Sequence, residues 1–551
     1  MENVTAFKEE EKQGDEQKTQ TEQLVSTVTE VATLFHSEQT GYAIIPVNAH
    51  HETWRIGSQM FKRYICHCFF QRTAKIPSTQ AITAAINLLE AKANFEGFEQ
   101  EVHVRVAEHD GALWLDLANA TWQAVRITKD GWEIVDKPSV RFLRPQGLLP
   151  LPTPERGGTI EELRRFLSVA SDDDFVLVVA FLVAALRPRG PYPVLVIVSE
   201  QGSGKTTMSR ILRGLVDPNF AMTRAEPKEN RDLAIACRNG HVIALDNVSR
   251  LPDWLSDTLA RIATGDAFAT RALYTDAEET LFAASRPILL NGITAVPHRP
   301  DLLDRSVIVN CSTIPDHRRR PEDELWMEFR SAEPRLLGAL LDTVVKALER
   351  IGQVRLDRLP RMADFAKWIV AAEPGLPWEP GNFMRIYTSN RQDATEQILD
   401  SDAVADLAKT LAPWEGTAAE LLTELNESVP ESMTRRKEWF SRPKQVSDHL
   451  RRIVPALRRV GIEVEWSKHH HPRLIHIRKT EIPASHASPS PANDPFQGYD
   501  WGPRWKGAGR KPDGASPVRD AKQGEREAGD AGDAGLPIPA AQGAEDDEVR
   551  L

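Results

Sequence analysis

The segment from Val194 to Thr207 is the part of this chain that most limits how it can fold. It reads V-L-V-I-V-S-E-Q-G-S-G-K-T-T, an apolar strand followed at once by a glycine-rich turn. Backbone amides of such a turn, at the start of a helix, bind phosphate oxygens, while a lysine reaches the outer phosphates and a threonine hydroxyl binds Mg²⁺. The segment therefore predicts a phosphate-binding loop at the end of a buried strand.

Six consecutive residues of this loop are the candidates for binding a nucleotide, and ATP with Mg²⁺ is the expected pair. They are Gly202, Ser203, Gly204, Lys205, Thr206 and Thr207. Ser199 departs from the G-x-x-x-x-G-K-[ST] pattern, because a glycine is expected at that position. Taken alone, the segment also fits an ordinary glycine-rich turn, so the assignment depends on further motifs.

The composition argues against several classes of protein. The longest apolar run, from Phe175 to Leu186, is too short to cross a bilayer, and the polar first 22 residues lack the apolar stretch of a secretory leader. Four cysteines in 551 residues do not make a disulfide framework, which indicates reduced thiols. We therefore expect a cytoplasmic protein that does not contact membranes.

Periodicity and composition divide the chain into segments. Strands and helices alternate after residue 158, which is typical of an α/β sheet with helices on both faces. A region of one-faced helical periodicity follows, and both ends of the chain have the composition of disordered segments. The predicted segments are a disordered start (1–24), an α+β domain (25–152), an α/β phosphate-loop domain (159–320), a helical region (321–413), a small basic domain (414–480) and a disordered tail (481–551).

Asp246 is the predicted second metal ligand. It ends the apolar run H-V-I-A-L-D-N, and in phosphate-loop ATPases such an aspartate holds Mg²⁺ against the loop threonine, here Thr206. Asn247 follows it where many of these enzymes have a glutamate that activates the attacking water. An amide can orient water but cannot accept its proton, so the sequence supports nucleotide binding more firmly than hydrolysis. Glu226 or Glu229 would be alternative bases, although no motif supports them.

Two further candidates for catalysis lie at strand ends. Asn291 follows a third apolar strand, Pro287 to Leu290, where a polar side chain would contact the γ-phosphate or its water. Arg305 precedes the strand Ser306 to Val309, a position that suits an arginine finger reaching a neighbouring subunit's nucleotide. A surface salt bridge is the alternative role for Arg305.

Five segments together resemble the superfamily 3 helicases of the AAA+ class, especially the helicase part of phage and plasmid primase-helicase proteins. They are S-E-Q-G-S-G-K-T-T, V-I-A-L-D-N, T-G-D-A-F-A-T-R-A-L-Y-T-D, R-P-I-L-L-N-G-I and R-P-D-L-L-D-R-S. The resemblance implies an AAA+ P-loop NTPase core with a helical lid, assembled into a homo-hexameric ring with nucleotide between subunits. Hairpins in the pore would bring Arg271 to single-stranded DNA; a solvated hairpin charge is the alternative.

The segment from Glu431 to Thr480 is strongly basic in a chain of net charge −11. It has thirteen Lys and Arg against five Asp and Glu. Its predicted helices and two closing strands resemble a winged helix, in which Pro455 would break or kink the second helix. The predicted contacts with DNA phosphates are Lys444, Arg451, Arg452 and Lys468, with Arg458 and Arg459 also facing DNA. A solvated arginine face is the alternative.

Two functions from different classes fit these observations. The first is an ATP-dependent DNA helicase or translocase of phage or plasmid replication, hydrolysing ATP between subunits of a ring. No primase motif is present in residues 25–152, so any primase should be a separate chain. The second is a DNA-binding replication initiator or regulator in which nucleotide controls assembly with little or no ATP turnover, and Asn247 favours it.

Overall fold

The computed structural model describes residues 19–200, 202–248, 251–266, 268–271, 279–282, 284–292, 299–315, 317, 319–435, 439–467 and 473–480. They form a mixed α/β fold, as the sequence predicts. No helix in these ranges is long and apolar enough to span a membrane.

The first elements of the chain form a small core of their own. A sheet in the order β3-β2-β1-β4 packs against helices whose apolar side chains, such as Phe61 and Leu89, are buried with those of the strands. The elements are α1 (Gln20–Thr29), β1 (Thr33–Ser37), β2 (Thr40–Val47), β3 (His50–Arg55), α2 (Gln59–Thr73), α3 (Thr79–Phe95) and β4 (Phe98–Glu99).

Helix α1 begins at Gln20, inside the range that we predicted to be disordered (1–24). Thr19 and Glu22 form a capping box, in which each side chain accepts a hydrogen bond from the other residue's backbone N–H. The Leu24 side chain is fully buried. The residues around Leu24 are mostly polar or charged, so the narrow apolar face of this helix is not evident from the sequence.

The second sheet, in the order β6-β7-β8-β9, is antiparallel and packs outside the core of the first sheet. Leu115 and Val125 of this sheet pack in the same cluster as the apolar face of α9 (Glu322–Arg350). The predicted α+β domain of residues 25–152 thus contributes to three separate apolar clusters. Its remaining strands are β5 (Val102–His103), β6 (Val106–His109), β7 (Ala112–Asp116), β8 (Ala124–Thr128), β9 (Gly131–Val135) and β10 (Arg141–Phe142).

The central sheet is parallel, in the order β12-β15-β11-β16. Its strands are almost wholly buried, which is why they read as continuous apolar runs. Helix α4 is buried over nearly its whole length and is capped at its start by Ser171. The elements are α4 (Asp172–Ala185), β11 (Val194–Val198), α5 (Lys205–Val216), α6 (Asn230–Arg238), β12 (Ile243–Leu245), α7 (Asp253–Thr264), β13 (Phe268–Arg271), β14 (Glu279–Phe282), β15 (Ile288–Gly292), α8 (Pro300–Leu303) and β16 (Ser306–Asn310).

Helices follow the sheet, and a small three-stranded module ends the described chain. Val404 and Leu407 of α12 pack with the module's other helices, so its core begins before the predicted boundary at residue 414. Helix α15 continues through Pro455, so of the predicted break or kink the break is absent. The elements are α10 (Ala363–Ala372), α11 (Asn382–Ser401), α12 (Ala403–Leu411), β17 (Trp414–Thr417), α13 (Ala418–Ser428), α14 (Glu431–Thr434), α15 (Pro443–Arg459), β18 (Ile462–Trp466) and β19 (Leu474–Lys479).

A buried ion pair fixes the second sheet to the central one. Arg105 and Asp217 are both fully buried, and the Arg105 guanidinium donates to an Asp217 carboxylate oxygen at 3.1 Å. Asp217 directly follows α5 and also accepts hydrogen bonds from the backbone N–H groups of His241 and Val242, at 2.9 and 3.0 Å. These contacts join the end of the phosphate-loop helix to two neighbouring segments.

We predict that Asp217→Ala destabilises the protein by about 3–5 kcal/mol, because it leaves the buried Arg105 guanidinium without its charge partner. The measurement is the free energy of unfolding in urea. Glu133→Ala is the matched control, since it removes an exposed ion pair with Arg126 and should cost less than about 1 kcal/mol. Equal losses in the two variants would contradict this account of the junction.

Candidate nucleotide site and nucleic-acid interface

The phosphate-binding loop connects β11 to α5, and two glycines make its turns. Gly202 and Gly204 have φ of +79° and +76°, a region that residues with a side chain rarely occupy. Gly204 is the N-cap of α5, so Lys205 and Thr206 begin the helix with backbone N–H groups that have no partner within the helix. A Cβ atom on Gly204 would lie 3.1 Å from Ile314 Cδ1. The loop therefore has a backbone conformation that suits phosphate binding, followed by helix-terminal N–H groups that lack a partner within the helix.

Ser199, the departure from the loop pattern, takes part in the loop's own hydrogen bonds. Its Oγ is hydrogen-bonded to Ser203 Oγ, and the Ser203 carbonyl accepts from Ser168 Oγ at 2.7 Å. Lys205 Nζ donates to the carbonyl oxygens of Ser199 and Glu200, both at 2.6 Å. The serine thus links the two ends of the loop.

Thr206 and Asp246 meet at the carboxyl end of the sheet. Thr206 Oγ1 donates to Asp246 Oδ1 at 3.1 Å, and Thr223 Oγ1 donates to the other carboxylate oxygen at 3.4 Å. Within the described ranges, no group of three or more His, Cys, Asp or Glu residues is placed to hold a metal. One carboxylate and one hydroxyl nevertheless fit Mg²⁺, which commonly takes one or two protein ligands and completes its shell with water and phosphate oxygens.

Asn291 connects Asn247 to the phosphate-loop helix. Its Oδ1 accepts from the Asn247 backbone N–H at 2.8 Å, and its Nδ2 donates to Ser209 Oγ at 2.8 Å. We predicted that Asn291 lies just after the strand; the structure places it within β15, where it is buried. Asn247 has φ of +56°, a conformation that asparagine adopts more readily than glutamate. The backbone thus supplies one reason for an asparagine at this position.

Arg305 lies at the opposite end of the central sheet from the loop. In the register of β11 with β16, Val194 is paired with Ser306 and Val198 with Asn310. Arg305 is therefore beside the start of β11, whereas the loop follows its end, a separation of roughly 15 Å along the strand. The Arg305 side chain is only 11% exposed, and its Nη1 is paired with Asp301 Oδ1 at 2.5 Å. The structure thus brings the other four catalytic candidates together and places Arg305 apart from them.

The predicted DNA-contacting residues are only partly described. Lys444 and Arg452 are exposed on α15, and the Arg451 guanidinium lies 4.3 Å from the ring centroid of Trp466. Arg271 ends β13, which pairs with β14 as the predicted hairpin, but its side chain lies outside the described residues, as does Lys468.

Arg459, which we predicted to face DNA, is exposed and forms an ion pair within the protein. Its guanidinium binds the Asp304 carboxylate through two contacts, of 2.8 and 3.0 Å. Periodicity alone does not show which arginines of the basic segment pair with residues from earlier in the chain.

Three site residues were not anticipated from the sequence: Ser168, Ser209 and Thr223. Ser209 is the one that helical spacing could have identified, because it lies one turn after Lys205 and its Oγ donates to the Lys205 carbonyl at 2.9 Å. The other two come from segments that approach the loop only in the folded chain.

Two segments of the chain match models of protein domains. Residues 160–374 match the actinomycete integrative conjugative element replication protein, and residues 401–490 match the C-terminal domain of the same element's RepA protein. The chain is thus similar to a replication protein. The second match begins at residue 401, consistent with a C-terminal core that includes α12. No curated protein matches the chain.

Solved structures give weaker similarities. The A form apo structure of the NrS-1 C-terminal region has a TM-score of 0.37 at 10% identity, covering 82% of this chain and 97% of that one. A structure titled as the SCCmec type IV Cch active helicase has a TM-score of 0.43 at 11% identity, covering 82% and 93%. Similarity at these values carries no argument about function.

We predict that Asn291→Ala destabilises the protein by about 1–3 kcal/mol, because the substitution leaves the Asn247 N–H and the Ser209 hydroxyl without a shared partner. Chemical unfolding measures the loss. Asn382→Ala is the control, since the Asn382 amide accepts only exposed hydrogen bonds from Arg385 and should lose less than about 1 kcal/mol. A stable Asn291→Ala variant would show that the network does not hold the site together.

Proposed function

We propose that this protein is a ring-forming, Mg²⁺-dependent ATPase that translocates on or unwinds DNA during replication of a mobile genetic element, in the cytoplasm. The family matches support a role in replication. The enzymatic activity, the ring and the winged-helix nature of the C-terminal module are parts of the proposal.

One observation carries the proposal: the central sheet has nucleotide-binding groups at one end and an arginine at the other. Lys205, Thr206 and Asp246 meet at the carboxyl end, where ATP phosphates and Mg²⁺ would bind. Arg305 lies beside the other end of the same strand and is too distant to reach that site within one subunit. A neighbouring subunit in a ring, the hexamer that the resemblance implies, would bring Arg305 to the phosphates.

The DNA assignment rests on the C-terminal module. Helix α15 presents the exposed Lys444, Arg451 and Arg452 beside a three-stranded sheet, an arrangement that suits contacts with DNA phosphates. In the proposed ring, Arg271 of the β13–β14 hairpin would contact single-stranded DNA in the pore. Primer synthesis would come from a separate primase.

A second function remains a candidate because of Asn247. Its amide cannot accept a proton from water, and its left-handed backbone disfavours the glutamate that would. A replication initiator that binds ATP without turnover would have the same loop and the same C-terminal module. Tight ATP binding without hydrolysis, both with and without single-stranded DNA, would support this function over the helicase.

We predict that Arg305→Ala lowers ATP hydrolysis roughly 10³-fold while ATP binding is kept, because the finger acts on the transition state. Mixing Arg305→Ala with Lys205→Ala subunits in equal amounts should restore roughly a quarter of the activity, since one interface in four then has both an intact loop and an intact finger.

The matched control for this experiment mixes Lys205→Ala with Asp246→Ala subunits. Both substitutions damage the same half of the site, so no mixed interface is complete and activity should stay low. Recovery in the control mixture, or none in the test mixture, would contradict an intersubunit site. Full hydrolysis by Arg305→Ala alone would exclude Arg305 as an arginine finger.

A further inference from the structure

Asp304, the residue just before Arg305, binds arginines from three separate elements. The closest is Arg459, whose two nitrogens lie 2.8 and 3.0 Å from the two carboxylate oxygens. Arg361, from the segment before α10, and Arg391, from α11, each lie 3.4 Å from one of the oxygens. The segment that carries Arg305 is therefore held by the helical region and by the C-terminal module together.

The Asp304 carboxylate is well enclosed, with 12% of its side chain exposed. Burial alone would raise its pKa, but the hydrogen bond and charge of Arg459, followed by the charges of Arg391 and Arg361, hold the pKa below its usual value. Asp304 is thus ionised at neutral pH and paired with cations on several sides. Removing Arg459 takes away its closest partner and its only two-point contact among the described residues.

Arg305 itself is held by the neighbouring carboxylate. Asp301 pairs with Arg305 and also with Arg361, which in turn reaches Asp304. The Arg305 Nε is buried and has no hydrogen-bond partner among the described atoms. The direction of the Arg305 guanidinium therefore depends on a small network of charges that ends at Arg459.

Arg459 is the last residue of the helix that carries the DNA candidates. Arg451 and Arg452 lie on α15 about 11–12 Å before it along the helix axis. Because the helix is continuous through Pro455, a shift of its basic face on DNA would move Arg459 as well. A contact made by Arg451 or Arg452 in the middle of this helix is thus joined to Asp304 at the end of the helix.

We propose that Asp304 and Arg459 are positioning residues that transmit DNA binding on α15 to the Arg305 finger, so that DNA sets the rate of ATP hydrolysis at the neighbouring site. This inference rests on the proposed function. It adds to that function a path by which the C-terminal module controls the finger.

The test compares ATP hydrolysis by the full chain and by Arg459→Ala, with and without single-stranded DNA. We expect Arg459→Ala to bind ATP and DNA as tightly as the parent and to keep the same KM for ATP. Its DNA-stimulated kcat should fall about tenfold, a typical size for coupling between sites. Arg459→Lys keeps the charge but loses the two-point contact, so it should recover part of the stimulation.

Asp304→Asn should lose the same stimulation, and the double variant Asp304→Asn/Arg459→Ala should lose no more than either single variant. A melting temperature and a circular dichroism spectrum for each variant show whether it is folded. Arg385→Ala is the matched control: Arg385 lies on α11 like Arg391, but it pairs with the exposed Asp173 and should leave stimulation unchanged.

The outcomes separate this inference from the proposed function. Three results would overturn the inference while leaving the proposed ATPase activity intact. They are normal DNA stimulation in Arg459→Ala, additive losses in the double variant, and a parent protein that DNA does not stimulate. If Lys205→Ala lost all hydrolysis while Arg305→Ala kept full hydrolysis, the assignment of Arg305 as an arginine finger would be wrong instead. A rise in KM alone would also contradict a positioning role, because the finger acts on the chemical step.

Discussion

The parallel register of β11 with β16 is the constraint on which the rest of the site depends. It places the phosphate loop at the carboxyl end of the sheet and Arg305 beside the opposite end, about one strand length away. The chain cannot bring these groups together by moving side chains. In the proposed mechanism the chemistry that uses both therefore takes place between two copies of the chain, which makes assembly a condition of activity.

Charged groups inside the molecule connect its parts. Asp217 joins the second sheet to the end of α5, and Asp304 joins the segment that carries Arg305 to the helical region and to α15. Both carboxylates are enclosed and paired with arginines from distant segments. Such pairs add little net stability compared with apolar packing, but breaking one is costly, so they fix where neighbouring parts sit.

The sequence was most informative where one segment contains the whole signal. The strand, loop and helix around Lys205 could be predicted, and so could the polar end of the strand before Asp246. It was least informative where distant segments meet. Three features depend on tertiary packing, which an apolar face or a basic run does not specify. They are the division of residues 25–152 among three apolar clusters, the helix starting at Gln20 and the pairing of Arg459 with Asp304.

The most direct test of the central claim is a cryo-electron microscopy structure of the protein with a non-hydrolysable ATP analogue, Mg²⁺ and single-stranded DNA. The account predicts a ring in which Arg305 of one subunit lies within hydrogen-bonding distance, about 3 Å, of the γ-phosphate bound at Lys205 of the next. Monomers with nucleotide bound, or a ring in which every Arg305 still pairs only with Asp301, would contradict it.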